Sequence, residues 1–137
     1  MGHPEFFGKD HAPGDAFGAS SVVDFLGMAS RHLRKETDYE TRFRCAGGIG
    51  ILREEVWVNA AREVVQYNLA FLLPHRQRAD NGRILGFDNA HGRHERHWLG
   101  HAMPFNFIDY DATARRFYGE VEAIRRKYEN ENLRRRL

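Results

Sequence analysis

The sequence is short of cysteine, of lysine and of long apolar runs. Its single cysteine, Cys45, excludes an internal disulfide framework and a zinc site built on paired cysteines. Cys45 reads instead as a small buried residue. A helix that crosses a bilayer needs about eighteen or more apolar residues in succession. The chain has no such run, so no membrane partner is expected. Its start, Met1-Gly2-His3-Pro4-Glu5-Phe6-Phe7, lacks a basic region followed by an apolar core, so no secretory leader is expected. Phe6 stands where a myristoylation signal requires Ser or Thr. A cytoplasmic location is the default expectation. Phosphate loop, nucleophile elbow, dinucleotide fingerprint and HExxH pattern are all absent.

What remains describes an ordinary folded domain. The 137 residues are 42% hydrophobic and 29% charged, enough to bury a real core. Net charge is +2, carried by arginine, since lysine occurs only at Lys9, Lys35 and Lys127. Basic residues gather near the C-terminus as Arg125-Arg126-Lys127 and Arg134-Arg135-Arg136. Such a series is either a solvated helix face or a means of attracting phosphate or an acidic partner.

Residues 1–19 are rich in Gly, Pro, His and Asp and have no apolar period, so they read as a flexible arm. Phe6, Phe7 and Phe17 give that arm a means of docking on the core or on a second copy, which makes a homo-oligomer an open expectation. Residues 20–137 read as a single α+β domain. Ser20 or Ser21 caps an amphipathic helix through Val22, Val23, Phe25, Leu26, Ala29 and Leu33 to about Lys35. Arg42-Phe43-Arg44-Cys45 alternates like an edge strand. A β-prone run from Ile49 to Val58 is interrupted by Arg53-Glu54-Glu55, where an inward charge needs a partner. Val64 to Leu73 alternates with an unbroken apolar odd face, the mark of a central strand lying against a helix. Asn81-Gly82 signals a turn before a strand from Arg83 to Phe87. Asp109 or Asp111 caps a last helix striped by Ala114, Phe117, Val121, Ile124 and Tyr128. The expectation is an antiparallel sheet of about four strands with an N-terminal and a C-terminal helix packed on it.

The densest chemistry lies in residues 82–101. This stretch holds His91, His94, His97 and His101 with Arg83, Arg93 and Arg96, and with Asp88 and Asn89 at its turn. Histidine exchanges protons near neutral pH, and arginine matches phosphate. Together they suit cleavage of RNA, whose 2′-hydroxyl is an internal nucleophile. In that reading His94 and His97 share the acid and base roles, Arg93 or Arg96 stabilises phosphate charge, and Asp88 orients a histidine. Asn89, His91, Tyr67 and Arg53 are the expected substrate contacts. Tyr67 also fits the core, and Asn89 also fits a bond to the turn backbone. No cofactor is expected for this chemistry. Zinc or manganese remains an alternative, because His94, His97 and His101 line one face if the segment is helical, and His91, His97 and His101 do so if it is extended.

These features resemble the TumE-like toxins of bacterial type II toxin–antitoxin modules. The resemblance is carried by Arg53-Glu54 on one strand, Tyr67 on the next, the Phe87-Asp88-Asn89-Ala90-His91-Gly92 turn and His94-Glu95-Arg96-His97. It covers roughly residues 43–126. It implies a small cytoplasmic toxin encoded beside a DNA-binding antitoxin, the antitoxin being its protein partner. RNA as substrate, cleaved without a metal, follows from the side-chain types. A metal-dependent nuclease and a non-catalytic binding module for nucleic acid or protein are the alternatives.

Overall fold

A computed structural model describes residues 33–137. The fold there is α+β: one antiparallel sheet followed by one long helix. The sheet has six strands rather than about four, in the spatial order of the chain. They are β1 (Arg34–Cys45), β2 (Gly48–Val58), β3 (Val64–Leu72), β4 (Arg83–Asp88), β5 (Glu95–Trp98) and β6 (His101–Pro104). The expected arm and most of the N-terminal helix lie outside the described residues. The last positions assigned to that helix, Arg34 and Lys35, belong to β1, where they pair with Val58 and Trp57.

Short turns produce the meander. β1 and β2 are joined by Ala46-Gly47, and β5 and β6 by Leu99-Gly100. Both residues of each pair have positive φ, the geometry whose twist matches that of two antiparallel strands. Asn59 closes the β2–β3 turn by accepting from the backbone N–H groups of Ala61 and Glu63. The β3–β4 connection is longer than a tight hairpin. It runs from Leu73 through a short 3-10 turn at Ala79–Gly82, with Asp80 and Asn81 in the left-handed region.

Helix α1 (Tyr110–Arg136) is capped by Asp109, whose carboxylate accepts from Ala112 N at 2.7 Å. Its buried residues Tyr110, Thr113, Ala114, Phe117, Val121 and Ile124 recur every three to four positions. They pack on one face of the sheet against Leu52, Val56, Tyr67, Leu69, Phe71, Leu85 and Phe87. As expected, β3 is a central strand with Tyr67, Leu69 and Phe71 in that core. Val65 departs from the stripe and packs with Leu33 and Trp57 instead. β1 is the expected edge strand, and it begins earlier than Arg42.

Candidate active site

Strict alternation along the strands divides the polar residues between the two faces. Phe87 points into the core under α1, so its neighbour Asp88 points to the opposite face. Asp88 is the direct partner of Glu95 across the β4–β5 ladder, and Gly86 is the direct partner of His97. Asp88, Glu95 and His97 therefore share the face away from α1. Asp88 and Glu95 are buried, each with 7% of its surface exposed. His97 Nε2 lies 3.0 Å from Asp88 Oδ2 and 4.0 Å from Glu95 Oε1. That nitrogen is closed off from solvent and, among the described residues, has no partner in full hydrogen-bond geometry. Arg83 crosses this face over Gly86, where a Cβ would meet its Cδ at 2.8 Å. It bonds Asp80 at 2.8 Å and brings a terminal nitrogen to 3.6 Å from Asp88. Arg93 reaches Glu95 at 2.7 Å from an exposed position.

His94 sits on the other face, and this separates the two histidines proposed to work together. Its Nδ1 is 2.8 Å from the Tyr67 hydroxyl, and its ring stacks on Phe107 at 3.7 Å. Burial holds the Tyr67 hydroxyl protonated well above its ordinary range, with the Asp88 charge adding to the effect. Burial also lowers the His94 pKa. A protonated Tyr67 hydroxyl and a neutral His94 ring thus share one hydrogen bond, whose direction follows the His94 tautomer. Arg96 shares this face and is committed to α1, bonding Glu120 through two nitrogens at 3.1 and 2.6 Å. It stands apart from His97 rather than beside it.

The remaining candidates hold structural or outlying positions. Asn89 accepts from Tyr67 N at 3.0 Å and donates to Val65 O at 2.9 Å, so its side chain extends the β3–β4 ladder by one backbone-like unit. His91 is exposed in the turn after β4. Arg53 lies on the face away from α1 but bonds Glu40 at 3.0 Å, towards the β1 edge. The arrangements that would align His97 with His101 also fail. The segment is a hairpin, and His101 pairs with Trp98, which packs on the core side.

Three groups stood in the sequence motifs without being assigned to a site. Glu95 and Arg83 complete the Asp88–His97 cluster, and the absence of a side chain at Gly86 was the available sign that a neighbour crosses there. Glu54 is wholly buried beneath α1 and accepts hydrogen bonds from Tyr110 at 2.5 Å and Tyr118 at 2.9 Å. Burial raises its carboxyl to about 7, against the opposing pull of the two hydroxyls. The charge run in β2 pointed to it, but alternation alone could not tell Glu54 from its neighbours.

In chemical terms the face away from α1 offers an imidazole, two carboxylates and two guanidinium groups at one place. The face towards α1 offers a tyrosine–histidine pair packed among aromatic rings. No family model, curated protein or solved structure matches the chain.

Proposed function

We propose that this chain is a growth-inhibiting toxin that cuts RNA, and that its chemistry runs at Asp88, Glu95 and His97. The observation that carries the reading is the pair of partly buried His97 and buried Asp88 at 3.0 Å, with guanidinium groups of Arg83 and Arg93 beside it. Resemblance of the sequence to TumE-like toxins supports the biological role, a cytoplasmic one with a DNA-binding antitoxin as partner. Among the described residues, no helix is long and apolar enough to cross a membrane.

In the metal-free form of the reaction, His97 removes the 2′-hydroxyl proton through Nδ1, its Nε2 being closed off beside Asp88, as that oxygen bonds to phosphorus. The bond from phosphorus to the 5′-oxygen breaks, and the imidazolium returns the proton to that oxygen. The products are a 2′,3′-cyclic phosphate and a 5′-hydroxyl. Asp88 stabilises the imidazolium, and Arg93 and Arg83 face the phosphate charge. His94 has no part in this pair, and Arg96 serves the strand–helix contact.

Two measurements test the reading. Expression alone should arrest growth, and co-expression of the adjacent gene should restore it and yield a stable complex. Purified chain should cut RNA, and His97→Ala should lower turnover by about 10²–10⁴-fold with the fold intact. Harmless high-level expression, or full cleavage by His97→Ala, would sink the proposal. RNA binding without cleavage by the unaltered chain would point to the binding-module alternative.

A further inference from the structure

We infer that Asp88, Glu95 and His97 form a binding site for one divalent metal ion of the zinc or manganese class. As an account of cleavage this rests on the reading above, while as a binding site it stands on its own geometry. Each residue offers a ligand atom, and the three atoms lie within 4.8 Å of one another. Two of the separations, 3.0 and 4.0 Å, bracket the about 3.4 Å between neighbouring ligands of a tetrahedral ion with bonds of about 2.1 Å.

His97 supplies the second observation. Its Nε2 is shut off from solvent and lies close to two carboxylates, yet it aligns with neither in a hydrogen bond. At 3.0 Å from Oδ2 the nitrogen is within hydrogen-bond distance, so it is alignment and not separation that departs from a proton shared with Asp88. Ligation asks something different, that nitrogen and oxygens converge on a point between them. This is a mixed donor set, one imidazole and two carboxylates, which suits zinc and manganese better than magnesium or calcium.

Charge balance points the same way. Asp88 and Glu95 are directly opposed in the ladder, where like charges destabilise. The arginines offset this only in part. Arg83 is anchored on Asp80 and stays 3.6 Å from Asp88, and the Arg93 side chain is 70% exposed. A divalent ion would neutralise both carboxylates, and Arg93 is free to swing outward. Three protein ligands leave coordination positions for substrate, the pattern of catalytic rather than structural sites. His97 is then a ligand and not the proton carrier.

The test uses the full chain, stripped with chelator and titrated with manganese chloride by calorimetry, with metal content measured after gel filtration. Manganese is chosen because exposed histidines collect zinc adventitiously. We expect one manganese per chain and a melting temperature that rises with added metal. Asp88→Asn and Glu95→Gln should each weaken binding at least about tenfold, as loss of a ligand or its support does. His97→Gln provides a third comparison should one carboxamide variant fail to fold. His91→Ala and His101→Ala should bind as the unaltered chain does. Absence of stoichiometric binding, or unchanged binding by the site variants, overturns the inference. RNA cleavage that persists in metal-free protein removes the ion from the account of cleavage and leaves both the cleavage reading and, where manganese still binds, the site standing. Manganese bound at the site without RNA cleavage supports the site and sinks the cleavage reading alone.

Discussion

Glu54 places a carboxyl group under the helix with two tyrosine hydroxyls as hydrogen-bond donors. Removal from water moves its pKa from 4.5 to about 7 in the folded chain. The folded state therefore holds this proton more tightly than the unfolded state does. Its contribution to stability is complete below pH 4.5 and is lost as pH rises through about 7. At roughly 1.4 kcal/mol per pH unit, the loss is roughly 3 kcal/mol. Denaturant midpoints should fall between pH 5 and pH 8, and Glu54→Gln should flatten that fall and exceed the unaltered chain at pH 8. Equal pH profiles for the two proteins would show that Glu54 is not ionising under the helix. The charge run Arg53-Glu54-Glu55 made a buried charge readable in the sequence. Its identity was not readable, because a one-residue change of register exchanges the two faces. Pairing with Leu69 puts Glu54 inside, whereas Arg53 pairs with Ala70 and bonds Glu40 outside.

Asn89 shows the same limit in another form. Its place at the turn was legible from Phe87-Asp88-Asn89, but its bonds reach a strand more than twenty positions away, to Tyr67 and Val65. Asn89→Ala removes both and leaves the Tyr67 N–H and Val65 carbonyl without these partners. The expected cost is about 1–3 kcal/mol in chemical denaturation. A change below about half a kilocalorie per mole would mean that the ladder closes without it.

At the scale of elements, the clear signals were the apolar odd face of β3 and the helical stripe of α1, both of which the fold contains. β5 and β6 were missed for a physical reason. Glu95-Arg96-His97-Trp98 has no β-branched residue, and the four residues of β6 are all exposed. Pairing with β4 and the Leu99-Gly100 turn, not local propensity, makes them strands. This hairpin also decides which face each histidine takes, so the grouping of Asp88, Glu95 and His97 was not legible before the strands were known. Arg96 tests the division. It packs over Phe87 and Trp98 and bonds Glu120, tying β5 to α1. Arg96→Ala should cost roughly 1 kcal/mol in stability, the screened value for a partly exposed pair together with reduced packing. Metal affinity at Asp88, Glu95 and His97 should stay within a few-fold of the unaltered chain. A loss of metal affinity as large as that of Glu95→Gln would show the two faces to be coupled through the strand.

Across the whole molecule, the helix covers one face of the sheet and the acid–histidine cluster lies on the other. Chemistry and attraction of substrate can therefore be separated by substitution. Arg134, Arg135 and Arg136 occupy the last turn of α1 and are exposed, with Arg126 and Lys127 exposed further back. Their charges also sit favourably at the negative end of the helix dipole. On the proposed reading these residues draw the phosphate backbone towards the molecule without reading its sequence. Each phosphate neutralised on single-stranded nucleic acid adds about 0.7 to the slope of log affinity against log salt. Replacing Arg134, Arg135 and Arg136 together by Gln should lower that slope by about 0.7 for every phosphate these three side chains engage. Affinity at low salt should fall for every RNA tested, while single-turnover cleavage at saturation should stay within about twofold. Filter binding across a salt series measures the first effect, and quenched-flow cleavage measures the second. An unchanged slope would assign the arginines to solvation of the helix or to a protein partner. A large fall in saturated cleavage would instead place the C-terminal turn within reach of the reacting phosphate, contrary to its position at the end of α1.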